Sequence, residues 1–273
     1  MEESKIRIPA VSGQFYPSSQ EELKNQVESL IDKKQEKKDI IACMFPHAGY
    51  MYSGRVAGQT VSRISIKERI ILLGPNHTGY GMPYSIMTDG VWQTPLGNIR
   101  IDANLAKRLL GNSKYLASDI TAHLYEHSLE VELPFLQYFK SDFEIVPIVF
   151  LSDEIDTLKE IGKEIADTIK ENNIKDSTII LASSDMTHYE PDEVARKKDS
   201  QAIQAILELD EDGLVERIER FSISMCGYAP VVVMLSAAKV CGAKNAQLIK
   251  YETSGDITGD KSSVVGYAGI IVY

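Results

Sequence analysis

Four short apolar runs divide the chain: Ile40–Phe45, Arg69–Leu73, Glu144–Phe150 and Ser177–Ala182. Each is bounded by turn or charged residues and is too short for a core helix, so each reads as a buried strand. Between them the period changes. Ile155, Leu158, Ile161, Ile165 and Ile169 recur at helical spacing after Asp153. Ser18 or Ser19, with Glu21 or Glu22, forms a capping box for a helix running to about residue 33. Further helices are predicted over about 53–65, 103–110, 191–209 and 211–221, and from Pro230 to Val240. Asp102 serves as the N-cap of the 103–110 helix, and Gly111 ends it.

Other segments carry turn chemistry. Tyr84–Thr88 and Val91–Gln93 read as a hairpin turning at Asp89-Gly90. Pro95–Asn98 makes a further turn before Ile99–Ile101. A helix beginning near Ser128 would carry Pro134 in its body and bend or end there. Gln247–Thr253 and Val264–Val272 read as closing strands joined by a polar loop over 254–260. Strands alternate with helices, which predicts an α/β class with a mainly parallel central sheet flanked by helices. No linker, repeat or low-complexity stretch interrupts it, so residues 1–273 are read as a single domain.

Composition narrows the function classes. Hydrophobic residues make up 44% and charged residues 25%, ordinary for a globular protein. The net charge of −10 disfavours nucleic acid and anionic membrane as partners. No apolar run reaches the roughly 20 residues needed to span a bilayer. The polar start Met1–Lys5 lacks a signal-peptide core, so a cytoplasmic protein is expected. Cys43, Cys226 and Cys241 have neither the number nor the spacing of a disulfide framework or a zinc ribbon.

Three of the five histidines, His47, His77 and His188, follow three separate strand runs by a few residues. Strand carboxyl ends in a parallel sheet share one edge, where ligands bind. The three imidazoles meet there if their strands are neighbours; otherwise each is a satisfied loop histidine. Asp185 precedes His188 and can orient a histidine or move a proton with it, or serve only as a cap or Asx turn. Cys226 sits in a Met-Cys-Gly break before a helix, suited to a metal ligand or nucleophile, or to a small buried hydrophobe. His123–His127 matches the H-x-x-E-H pattern of some zinc peptidases. The helical periodicity starts only at Leu129, however, so the match is read as coincidental. Glu126 and His127 remain candidate polar groups lining a site, with Glu130 four residues on.

Taken together, Pro46-His47-Ala48-Gly49-Tyr50, Gly74-Pro75-Asn76-His77, Glu126-His127-Ser128 with Glu130, Ser183-Ser184-Asp185 with His188, and Cys226-Gly227 resemble the Memo family, in order and spacing over nearly the whole chain. The resemblance implies a fold like that of class III extradiol dioxygenases, which hold non-haem iron with two histidines and a carboxylate. It places His47 and His77 as metal ligands and Cys226 where the dioxygenases have the carboxylate. His188 falls in the position of the acid–base histidine, and His127 in the pocket. It also implies iron or copper as cofactor, and in animal members the binding of phosphotyrosine peptides. A thiolate is softer than a carboxylate, favours Cu(I), Zn or a different iron chemistry, and can itself be oxidised.

Three functions follow as expectations. The first is a metal-dependent, dioxygenase-like oxidoreductase with ligands His47, His77 and Cys226, in which His188, Asp185 and His127 serve the chemistry. The second is a non-catalytic module that keeps the pocket to bind a small molecule or peptide. The third is a zinc hydrolase on the same ligands.

Overall fold

The computed structural model describes residues 6–273; the Met1–Lys5 stretch lies outside them. Among the described residues the backbone is organised on one 12-stranded sheet. Its centre is parallel, in the order Gly97–Ile101, Glu144–Phe150, Arg69–Pro75, Thr178–Ser183, Ala42–Phe45. Antiparallel strands close both sides. Val91–Thr94 pairs with Gly97–Ile101 on one side, and Val264–Val272 pairs with Ala42–Phe45 on the other. Four of these strands, Glu144–Phe150 through Ala42–Phe45, are buried nearly throughout, as a parallel sheet covered on both faces requires.

Helix Tyr228–Val240 shows how the layers form. It is apolar around its whole circumference, and Ala229 through Ala238 are all buried. One side meets the central strands and another meets helix Ile155–Glu171. Gly162 permits that second contact, because a Cβ there would lie 2.7 Å from the carbonyl oxygen of Val233. The helical spacing read after Asp153 gives the buried stripe Leu158, Ile161, Ile165 and Ile169.

Several local expectations are corrected. Asp89-Gly90 is not a hairpin turn. Tyr84–Ile86 pairs antiparallel with Glu144–Phe150, while the true hairpin joins Val91–Thr94 to Gly97–Ile101 through Pro95-Leu96. Gly97, just after that turn, has φ 127°, a conformation open to glycine but strained for other residues. Pro134 does not bend a helix. The chain over 128–132 is turn, the helix spans Leu133–Phe139, and Pro134 sits in its first turn, where no N–H is missed. The polar loop over 254–260 contains a short helix, Ser254–Thr258, started by a capping box between Thr253 and Asp256. Helix Tyr50–Val61 begins earlier than the predicted residue 53.

Strands Arg69–Pro75, Thr178–Ser183 and Ala42–Phe45 are consecutive in the sheet. His77, the Asp185–His188 stretch and His47 therefore leave the same edge side by side.

Candidate functional site

Pro46 stops the Ala42–Phe45 strand, and Gly49 begins the next helix. His47 is held between them, 2% exposed. Its backbone N–H donates to Asp185 Oδ1 at 2.8 Å. Its ring Nδ1 lies 2.8 Å from Ser183 Oγ. The single proton of that hydroxyl goes to the carbonyl of Ser128, 2.7 Å away. Ser183 can therefore only accept from the ring, so His47 is protonated on Nδ1 and keeps its lone pair on Nε2. Burial, with the neighbouring His77, His127 and His188, holds the imidazole neutral by pushing its pKa well down.

His77 is fixed by the same logic from the other side. Its backbone N–H donates to Glu126 Oε2 at 2.5 Å, and Nδ1 lies 3.0 Å from Glu126 Oε1. A carboxylate only accepts, so Nδ1 carries the proton and Nε2 is free. Glu126 also takes the backbone N–H groups of His127 and Ser128 at 2.9 and 2.8 Å. With four donors converging on it, this carboxylate orients His77 and is poorly placed to ligate an ion itself.

Cys226 completes the group. Its Sγ lies 3.3 Å from His47 Nε2 and accepts the backbone N–H of Asp185 at 3.3 Å. Burial, then the nearby Asp185 carboxyl, pushes the thiol pKa up. An uncharged thiol is thus the resting form unless a cation stabilises the thiolate. One donor atom each from His47, His77 and Cys226 falls within 4.8 Å of the other two. Two nitrogens and one sulfur at that spacing suit a transition metal rather than magnesium or calcium.

His127 stacks on His77 with ring centroids 4.8 Å apart, and Phe15 meets its edge at 5.0 Å. His188 reaches the same cavity from the far side. Its Nδ1 donates to the carbonyl of Ser224 at 2.9 Å, and its N–H donates to Ser224 Oγ at 2.8 Å, which leaves Nε2 as the basic nitrogen. The cavity has a volume near 800 Å³, and His47, His77, His127, Asp185, His188 and Cys226 all line it. Burial raises the Asp185 carboxyl to about 6. His123 stays apart. It is fully buried, with its ring 6.0 Å from that of Trp92, so the H-x-x-E-H spacing does not form a site.

A sequence model described as Memo-like protein matches residues 7–271. The chain belongs to the Memo family. A MEMO1 family protein of Methanosarcina mazei is 44% identical over 98% of this chain and 99% of its own length. Relatives from Methanocaldococcus jannaschii and Aquifex aeolicus, also MEMO1 family proteins, are each 44% identical with the same two coverages. Among solved structures, an uncharacterized protein from Escherichia coli K12 superposes with a TM-score of 0.59 at 14% identity, covering 85% of this chain and 99% of that one, a likeness of fold.

Sequence reasoning passed over several residues that shape this Memo family site. Gln14 and Phe15 line the cavity from the N-terminal segment. Tyr52 and Tyr267 line it as well, and only the folded register brings them in. Ser224 was hidden because its carbonyl does most of the positioning, and any residue type supplies a carbonyl. Gly227, already read in the Cys226-Gly227 motif, gains a physical reason here. A Cβ there would lie 2.1 Å from the carbonyl oxygen of Ser183, so only glycine lets the Cys226 segment reach the sheet edge. Gly227→Ala is expected to destabilise the fold by about 1–3 kcal/mol by denaturant titration and to displace the Cys226 sulfur. Unchanged stability would show that the segment yields without strain.

Proposed function

We propose that this Memo family protein holds one redox-capable metal ion, iron or copper, on His47 Nε2, His77 Nε2 and Cys226 Sγ, and acts as an oxidoreductase on a molecule bound in the adjoining cavity. The observation that carries the reading is the locking of both histidines. Ser183 and Glu126 each occupy an Nδ1–H, which frees both Nε2 lone pairs, and one donor atom of each histidine lies within 4.8 Å of the sulfur. Fixing the outer nitrogen of a histidine in this way is how proteins orient metal-ligating imidazoles. The donor set suits such an ion, which when bound supplies Lewis acidity and one-electron chemistry.

The remaining residues have separable tasks in this reading. His188 presents a basic Nε2 to the cavity and takes or returns a proton of the bound molecule. Asp185 holds the His47 backbone and donates its own N–H to the sulfur, favouring the thiolate. His127 and Phe15 wall the cavity beside His77 and limit water there.

The test is metal analysis of untagged protein purified without chelator and without oxygen. Near-stoichiometric iron or copper is expected in the wild type. His47→Ala and Cys226→Ser should each lower metal affinity at least tenfold. Equal occupancy by the same metal in both variants would overturn the ligand assignment. Stoichiometric zinc would keep the ligands but remove the redox role.

A further inference from the structure

We propose that Tyr267 is a ligand-binding residue of this cavity, its hydroxyl donating a hydrogen bond to an oxygen of the bound molecule. This deepens the metal-site reading by naming a residue that holds the molecule, and it rests on that reading only for the use of the cavity. The ground is a contrast among phenols. Four tyrosines are buried among the described residues: Tyr16, Tyr50, Tyr84 and Tyr267. Tyr16 donates to Glu130 at 2.5 Å, Tyr50 to the carbonyl of Val131 at 2.7 Å, and Tyr84 to Ser152 Oγ at 3.1 Å. None of those three lines the cavity. Tyr267 does line it, is only 2% exposed, and has no hydrogen-bond partner for its hydroxyl among the described residues. Buried hydroxyls are otherwise paired, as the other three are, so this one is left for what enters the cavity.

The backbone puts the ring there. Val265 and Tyr267 lie two apart on strand Val264–Val272, and both line the cavity, so that face of the strand is the cavity side. Gly266, between them, is tied to the stretch that carries Asp185 and His188. Met186 donates its N–H to the Gly266 carbonyl, and Gly266 donates to the carbonyl of Thr187, both at 2.9 Å. A Cβ on Gly266 would run into Asp199 Oδ2, so the strand also sits tight against helix Asp192–Leu207. Tyr267 is thereby fixed in place before any molecule binds, and little order is lost in making its bond.

Its chemistry sets what it can recognise. Burial, then the nearby Asp185, Tyr52 and Tyr189, pushes the phenol pKa up, so the group stays protonated and offers its O–H as a donor. No hydrogen bond joins it to Asp185, whose Oδ1 takes the His47 N–H at 2.8 Å. A phenol donor serves a hydroxyl oxygen and a phosphoryl oxygen alike. The shared requirement on the ligand is therefore an oxygen acceptor.

The test uses three probes with one aromatic body: 2-phenylethanol, phenyl phosphate and ethylbenzene, which has no acceptor. Binding to the full chain, as purified and again after metal removal, is followed by NMR titration. Tyr267→Phe should weaken 2-phenylethanol about two- to tenfold and phenyl phosphate about ten- to a hundredfold, the usual worth of a hydrogen bond to a neutral and to a charged acceptor. Ethylbenzene should bind the variant as it binds the wild type. A loss confined to one oxygen-bearing probe supports the proposal and names the acceptor as a hydroxyl or a phosphoryl oxygen. Denaturant titration supplies the control: Tyr50→Phe should lower the unfolding midpoint, because that hydroxyl serves the fold, and Tyr267→Phe should not. The proposal is overturned if Tyr267→Phe leaves both oxygen-bearing probes as tight as before in both states, if ethylbenzene loses as much as they do, if neither of them binds, or if Tyr267→Phe lowers the midpoint as far as Tyr50→Phe. Metal content is measured separately, so a protein that lacks metal but shows these losses loses only the metal assignment.

Discussion

Replacing Glu130 by alanine is expected to lower the stability of the fold by about 3–5 kcal/mol, because it strands a buried arginine. Arg7 and Glu130 are both fully buried, and their charged atoms lie 2.6 Å apart. Glu130 also accepts the Tyr16 hydroxyl at 2.5 Å and the backbone N–H groups of Ala10 and Val11 at 2.7 and 3.1 Å. Arg7 in turn donates to the carbonyls of His123 and Glu126 at 2.8 and 2.5 Å and lies over the Trp92 ring. Both oxygens of Glu130 take two donors each, and Arg7 has no other carboxylate partner among its bonds, so removing Glu130 leaves a buried guanidinium without its counter-charge. Replacing both Arg7 and Glu130 by apolar residues of similar volume should cost less than either single change. Denaturant titration of the three variants checks this. A loss under about 1 kcal/mol for Glu130→Ala would mean that water reaches the pair. The same variant should loosen one cavity wall, since the segment anchored by Glu130 carries Gln14 and Phe15.

Glu126→Gln is expected to weaken metal binding by about 10- to 100-fold, the usual effect of removing a group that orients a ligating histidine. A pH signature accompanies it. Burial alone would raise the Glu126 carboxyl, but the hydrogen bond from His77, with the charges of His77 and His127 and the Ser128 N–H, brings it down from an ordinary value of 4.5 to about 2. A carboxyl depressed in the folded state stabilises that state above its unfolded pKa. The benefit fades as pH falls from about 4.5 toward 2. That gap corresponds to roughly 3 kcal/mol, and the group is buried enough that solvent screening removes little of it. Denaturant titrations of metal-stripped wild type and Glu126→Gln between pH 6 and pH 2 should therefore converge at the acid end. Parallel curves over that range would remove Glu126 from this role.

What the sequence made legible was periodicity and punctuation. Buried strands followed by Pro46-His47, Asn76-His77 and Ser184-Asp185 placed the histidines at strand ends. The apolar rhythm after Asp153 marked a helix with its buried face. Strand order was not legible, because it depends on pairings between distant segments. Only with Thr178–Ser183 between the other two strands do the histidines become neighbours. The same limit hid the Arg7–Glu130 pair, whose partners are 123 residues apart. Glu126 was noticed as a polar group near a pocket, but its four donors come from backbone and ring N–H groups that no residue pattern announces. The misplaced hairpin had a different cause. Asp-Gly favours a turn, but the chain after Gly90 pairs forward with Asn98–Arg100 instead of back with Tyr84–Ile86.

The stretch from Ser222 to Cys226 has a thermodynamic consequence. Ser224 grips the His188 ring, and two residues later Cys226 offers its sulfur to His47. Two sides of one cavity thus hang from a single short strip of backbone, anchored at one end by the left-handed Ser222 and at the other by Gly227 against Ser183. On the proposed reading, a molecule that shifts His188 would bear on the sulfur through that strip, and an ion that draws in the sulfur would bear on His188. Any such coupling is reciprocal, so each would change the other's affinity by the same factor.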